Sequence, residues 1–260
     1  MKYCLSSRQS SEYLKKADEI KVKYRDRDII YDFSQKYSTA TIILEMPLDG
    51  TGVNWAEIEK YARVTEGRLI LCLANLHDIP NCQQMNIRYY YGFPVGSFYE
   101  LQSLKTLGVC YFRLAAPAFF SLDLVKGLGV PVRAIPNVCY DAYFPHENGI
   151  HGQWIRPEDV KTYDAYVDVF EFEDADLEKE RALYRIYHDD GQWPGALDLI
   201  FTNFNYPVVN KFLPDTDTMA TRRIACGHRC QQGKPCGLCE LYFAFGNPEM
   251  QKTVDKLTAE

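Results

Sequence analysis

Thr41-Ile-Ile-Leu-Glu-Met46, Asn54-Trp-Ala-Glu-Ile-Glu-Lys-Tyr61 and Leu69-Ile-Leu-Cys-Leu-Ala74 together decide how this chain folds. The outer two runs are near-continuous in Ile and Leu, as parallel strands covered on both faces tend to be. The segment between them opens on an N-cap residue, Asn54, and keeps an apolar stripe at helical spacing. Strand, helix, strand at a repeat of about 20 to 25 residues is the signature of a parallel βαβ unit.

The same rhythm extends in both directions. Glu19-Ile-Lys-Val-Lys-Tyr24 alternates in the manner of a half-exposed strand. Further strand-like runs are Arg88-Tyr-Tyr-Tyr-Gly-Phe93, Val109-Cys-Tyr-Phe-Arg-Leu114, Pro131-Val-Arg-Ala-Ile-Pro136, Gly152-Gln-Trp-Ile-Arg156 and Val167-Asp-Val-Phe-Glu-Phe172. Ser97, three residues before Glu100, forms a capping box for a helix that ends at Gly108, and a shorter helix spans Ser121 to Lys126. Eight such strands close a (β/α)8 barrel of TIM-like α/β class, a fold that commonly fills this length as one domain. Lys2 to Leu5 and Leu197 to Asn203 are also strand-like, so ten candidates compete for eight places, with an open parallel sheet as the alternative.

After residue 172 the texture changes. Asp174 or Asp176 caps a charged helix through Leu177, Leu183, Tyr184 and Tyr187, and residues 206–221 read as loop. The expected organisation is a barrel over 1–172 and a C-terminal, cysteine-rich extension over 173–260 packed on it.

Composition narrows the class. Hydrophobic residues make up 47% of the 260, enough for a full core. The net charge of −6 argues against a nucleic-acid binder along the whole surface, while leaving room for a local basic site. No apolar run approaches the roughly 18 residues needed to span a bilayer. The start reads as polar rather than as a signal peptide. Together with scattered thiols, this points to a reducing, cytoplasmic setting without membrane contact.

The extension carries Cys226, Cys230, Cys236 and Cys239, spaced C-x3-C-x5-C-x2-C. Thiolate is a soft ligand suited to zinc and to iron–sulfur centres. Arg222, Arg223, Arg229 and Lys234 would offset the charge of four thiolates. The expectation is a metal centre, either a [4Fe-4S] cluster or Zn2+, with two disulfides or unrelated thiols as the competing reading. Cys72 and Cys110 lie in apolar runs and read as small core residues.

In a barrel, working residues sit at the carboxyl ends of strands and in the loops that follow. That rule selects Glu45, Asn75, Arg113, Asn137, Trp154, Arg156, Glu171 and Glu173. Glu45 and Arg113 are charged residues inside apolar strands and must find a partner or water. Glu171 and Glu173 share a strand face, and either serves as general acid or base if burial raises its pKa. His151 follows a loop long enough to act as a lid. Glu45, Arg113, His151 and Glu173 are therefore the catalytic candidates. Tyr89-Tyr90-Tyr91 reads as core aromatics or as the wall of a planar-ligand pocket, and His188-Asp189-Asp190 as a solvated helix end or a metal site. The chain has no G-x-S-x-G elbow, phosphate loop or H-E-x-x-H run, which removes serine hydrolases, nucleoside triphosphatases and zincins.

Pro157 and Asp159, then Glu173 at a strand end, then Tyr184-Arg185 on a helix, resemble the collagenase-like peptidases of unassigned catalytic type, peptidase family U-thirty-two. The likeness covers about 30 residues closely. Glu171, Asp174 and Ala175 stand where that family's motif has lysine, glycine and arginine. The resemblance implies a barrel and a group that includes peptidases and oxygen-independent hydroxylases with a four-iron cluster, acting on RNA or on quinone precursors. The family's cysteines are dispersed, whereas these are compact, so cysteine roles do not carry across.

Three functions follow as expectations. The first is a barrel enzyme with a [4Fe-4S] centre that modifies an RNA base or small aromatic substrate by redox or hydroxylation chemistry. The second is a zinc-stapled barrel of transglycosylase-like type acting on a nucleobase. The third is a non-enzymatic binding or assembly protein. A small-molecule or nucleobase substrate is expected, with RNA as a candidate partner and the oligomeric state open.

Overall fold

The computed structural model describes residues 1–48, 50, 52–95, 97–114, 122–136, 155, 160–172 and 176–188. Strands and helices alternate through it. The strands are β1 (Lys2–Ser6), β2 (Glu19–Lys23), β3 (Thr41–Glu45), β4 (Leu69–Leu73), β5 (Arg88–Tyr91), β6 (Phe112–Leu114), β7 (Val132–Ala134) and β8 (Val169–Glu171). The helices that follow them are α1 (Ser11–Leu14), α2 (Ile30–Lys36), α3 (Trp55–Val64), α4 (Ile79–Gln84), α5 (Phe98–Thr106), α6 (Leu122–Gly127), α7 (Val160–Tyr163) and α8 (Leu177–His188).

All eight strands join one parallel sheet in the order β5-β4-β3-β2-β1-β8-β7-β6. The first strand pairs with the last, Cys4 opposite Glu171, so the sheet curls round on itself. At the remaining seam, the Cys110 amide donates to the Tyr89 carbonyl (2.8 Å) and the Val95 amide to the Arg113 carbonyl (3.0 Å). The result is a nearly closed eight-stranded barrel. The eight places are filled by Lys2–Ser6 and seven of the expected runs. Ile155, at the heart of the 152–156 candidate, is not in a strand, and residues 197–203 lie outside the described residues.

Two compact units divide the chain. The first comprises residues 1–114, 128–134 and 167–171 and holds all eight strands. Its local signals work as their chemistry predicts. The Asn54 side chain accepts the Glu57 amide (3.2 Å) at the start of α3, and Ser97 accepts the Glu100 amide (3.2 Å) at the start of α5. Ile58 and Tyr61 form the buried stripe of α3. The Arg68 guanidinium donates to the carbonyls of Ser34, in the last turn of α2, and of Tyr37 and Ala40 in the turn that follows, tying the helix end to the start of β4.

The second unit takes residues 115–127, 135–166 and those from 172 onward. Among its described residues, Asp176 is the cap of α8, accepting the Lys179 amide at 2.8 Å. Tyr187 on that helix donates to the Ile155 carbonyl (2.5 Å) and packs its ring 5.6 Å from Phe172.

Candidate functional site

Side chains on non-adjacent strands can meet only across the barrel, and here the groups that meet are charged. Glu19 and Lys21 on β2, Arg113 on β6, Arg133 on β7 and Glu171 on β8 form one cluster. Period-two alternation puts Glu19 and Lys21 on the inner face and sends Ile20 and Val22 outward into the fully buried layer beneath the helices. Arg113, Arg133 and Glu171 each sit between apolar neighbours in the runs Phe-Arg-Leu, Val-Arg-Ala and Phe-Glu-Phe, whose outer residues are buried. An apolar patch of Cys4, Ile43, Ile70, Cys72, Tyr90 and Val169 lines the rest of the interior.

Glu171 is the hub. Its Oε1 accepts from Lys21 Nζ at 2.6 Å and Arg113 Nη2 at 3.1 Å, and its Oε2 accepts from Arg133 Nη1 at 3.2 Å. Arg133 also binds Glu19, and its guanidinium lies 4.8 Å from the Tyr90 ring and 5.0 Å from the Tyr111 ring. The Tyr111 hydroxyl donates to Glu19 Oε1 at 3.3 Å. Arg113 reaches the Gly92 carbonyl through Nη1, bridging the β5–β6 seam from inside. Lys21 keeps 19% of its side-chain surface open, whereas the other four charged members keep 6% or less.

The electrostatics set the protonation states. Burial pushes Glu171 up, but Arg113, Lys21 and Arg133 more than offset it, leaving the carboxyl well below the usual range. Burial pulls Lys21 down, yet Glu171 holds it above the ordinary lysine value, so it stays an ammonium. Burial raises the Cys4 and Cys72 thiols and the Tyr90 and Tyr111 phenols, so all four remain protonated. This corrects the expectation for Glu171. Among three cations it is a fixed anion rather than a general acid.

The other sequence-selected residues fall as follows. Arg113 belongs to the cluster. Glu45 is half-buried at the carboxyl end of β3, opposite Lys23 in register. Asn75 accepts the His77 amide (2.9 Å) and caps a short turn of helix, a structural duty. Tyr90 faces the interior, while Tyr89 donates outward to the Leu107 carbonyl, so the tyrosine run divides between cluster and core. Cys72 is buried, and Cys110 packs against the interior patch. His188 stacks on Tyr184 at 5.0 Å. Asn137, His151, Trp154, Arg156, Glu173, Asp189, Asp190 and Cys226, Cys230, Cys236 and Cys239 lie outside the described residues. Among the described residues no group of three or more His, Cys, Asp or Glu is placed to hold a metal ion, and no helix is long and apolar enough to cross a membrane.

Sequence reasoning missed Glu19, Lys21 and Arg133. The alternation of Glu19 to Tyr24 was legible, but it assigned the charged face to solvent instead of the barrel interior. The signal that finds them is the recurrence of one ionisable residue between apolar neighbours in each of the last three strands. Three inward charges there require countercharges from other strands.

The fold and the cluster define a (β/α)8-type barrel with a charged interior. Comparison with known proteins adds likeness of shape. No family model matches the chain, and no curated protein matches it. The structure is similar to the U32 peptidase Mk0906 at 10% identity and a TM-score of 0.45, covering 68% of this chain and 94% of that one. It is also similar to a 4-hydroxy-2-oxoglutarate aldolase/2-deydro-3-deoxyphosphogluconate aldolase from TTHB1, at 13% identity and 0.42, covering 71% and 91%. A third similar structure is 3-keto-L-gulonate-6-phosphate decarboxylase from Vibrio cholerae O1 biovar El Tor, at 11% identity and 0.40, covering 74% and 99%. At such values the likenesses carry no argument about chemistry, and the barrel rests on its own strand order.

Proposed function

We propose that this chain is a barrel enzyme that acts on a small planar substrate, an RNA base or a small aromatic molecule, at the carboxyl ends of its strands. The observation that carries this reading is the buried cluster around Glu171. Barrel interiors are ordinarily filled by layers of branched apolar side chains. Removing five ionised groups from water costs several kcal/mol per ion, and a buried ion network of this kind is often no more stabilising than an apolar replacement. Ionisable groups kept inside a barrel at that cost are better explained by work on a ligand than by stability, and perturbed groups of this kind gather at functional sites. The loops after β3, β4 and β5 add exposed apolar side chains, Leu48, Leu76 and Phe93, suited to the body of a planar molecule.

Cys226, Cys230, Cys236 and Cys239 are the donors we assign to a metal centre. Four thiolates in fourteen residues suit soft-ligand metals, a [4Fe-4S] cluster or zinc. When bound, a cluster would supply one-electron chemistry. The barrel's own part is to orient the substrate. Lys21 offers an ammonium, Glu171 fixes that ammonium in place, and Arg113 ties the hub to the backbone at Gly92.

The test is metal analysis and a visible spectrum on protein purified without oxygen, followed by turnover of RNA and small aromatic substrates. About four irons per chain with a broad absorbance typical of thiolate-bound clusters supports the reading. One zinc and no colour removes the redox chemistry and leaves the zinc-stapled barrel. Turnover unaffected by Lys21→Met removes the cluster from the site.

A further inference from the structure

We infer that Lys21 recognises an acidic group on the substrate, a carboxylate or a phosphate, so that the ligand is a planar anion rather than a neutral ring. The inference rests on the reading of the barrel as a planar-substrate enzyme and narrows its substrate class.

Charge is the first argument. Among the described residues the cluster holds three cations, Lys21, Arg113 and Arg133, against two carboxylates, Glu19 and Glu171. One positive charge is left over. Lys23 and Glu45, register partners at the ends of β2 and β3, offset each other in the count and leave the excess unchanged.

Access and valence are the second and third. Arg133 is fully buried and Arg113 nearly so, each committed to carboxylate, carbonyl or ring contacts. Lys21, at 19% side-chain exposure against 6% or less for the other four, is the most open of the five to a ligand. An ammonium has three N–H donors, and Lys21 spends one of them, on Glu171 Oε1, among the described residues. Two donors on a fixed, permanently charged group match an oxyanion that brings several acceptor lone pairs. Glu171 serves as the clamp that stops the flexible lysine stem from wandering, and this lowers the entropy lost when an anion binds.

The experiment titrates benzoate, phenyl phosphate and benzyl alcohol into the full chain by calorimetry, for wild type, Lys21→Met and Lys21→Arg. Circular dichroism checks that each variant is folded. A charge-assisted contact of this kind corresponds to about a tenfold or greater difference in affinity. Wild type is therefore expected to bind at least one of the two anions about tenfold more tightly than benzyl alcohol. Lys21→Met should lose that preference and Lys21→Arg should keep most of it. Whichever anion binds more tightly identifies the substrate's acidic group. Binding of benzoate and phenyl phosphate no tighter than that of benzyl alcohol to wild type overturns the anion inference while leaving the planar-substrate reading in place. Anion binding that survives in Lys21→Met also overturns it, and binding of none of the three probes removes both readings.

Discussion

Replacing Arg133 with methionine tests the cluster where it is most enclosed. The guanidinium is fully buried, bound to Glu171 at 3.2 Å and to Glu19, and lies 4.8 and 5.0 Å from the centres of the Tyr90 and Tyr111 rings. Methionine fills similar space and recovers part of the ring contact through its sulfur. It cannot compensate the carboxylates. Glu19 then keeps the Tyr111 hydroxyl as its partner among the described residues, a neutral donor facing an ionised acceptor. Removing one member of a buried ion pair costs about 3–5 kcal/mol. That is a large share of the roughly 5–15 kcal/mol by which native proteins are stable. Urea unfolding of Arg133→Met, Glu19→Gln and the double variant gives a cycle, because Glu19→Gln removes the charge that Arg133 balances. The double variant should be more stable than the sum of the singles predicts, by about 1–3 kcal/mol. A single-variant cost below about 1 kcal/mol, or simple additivity, would refute the claim that these groups form one charged network.

Three further outcomes follow from particular contacts. A Cβ at Gly92 would lie 2.8 Å from Cys72 Sγ and 3.1 Å from the Leu73 carbonyl, so Gly92→Ala should lose about 1–3 kcal/mol in thermal denaturation. Adding Cys72→Ala should recover part of that loss and not all, since the carbonyl contact stays. Ser97→Ala removes the acceptor for the Glu100 amide and should cost about 1 kcal/mol, read by the same melts, with no loss expected if the cap contributes nothing. Cys4, Cys72 and Cys82 are buried free thiols with pKa values raised by burial, that of Cys82 to about 12. Iodoacetamide at about pH 8 should leave all three unmodified in the native protein and label them in urea, by peptide mass mapping; native labelling would contradict the packing.

The fold was largely legible because its signals are local. Near-continuous Ile and Leu in β3 and β4, and side-chain caps at Asn54 and Ser97, are read from a few neighbouring residues, and each appears where its chemistry requires. The strand count was harder. Lys2 to Leu5 and Gly152 to Arg156 are comparably strand-like in isolation, and what selects the first is its pairing with both β2 and β8, a contact between chain segments far apart in sequence. The site was legible only in part, for the same reason. Arg113 was marked by charge inside an apolar run, and Glu171 by its place at the carboxyl end of a strand. Glu19 and Lys21 were hidden because an alternating strand reads alike whether its polar face meets water or lines a barrel. Arg133 was hidden because its partners come from β2 and β8. The pKa of Glu171 could not be judged from its own neighbours either, since two of the three cations that lower it lie on β2 and β6 and none is close in sequence.

The ionisation of Glu171 is the point on which the site turns, because its charge is what fixes Lys21. Its folded pKa is depressed, so the stability it contributes is fully present above the unfolded carboxyl value of about 4.3 and is lost as pH falls toward the folded one. Carbon-13 labelling of glutamate side chains, with the Glu171 resonance assigned from Glu171→Gln, follows that titration directly in the folded protein. The account predicts a carboxylate signal that stays ionised through the pH range, about 4 to 5, in which exposed glutamates protonate. It also predicts an upward shift of that titration in Lys21→Met. A Glu171 signal that titrates at or above the ordinary glutamate value, unmoved by loss of Lys21, would contradict it.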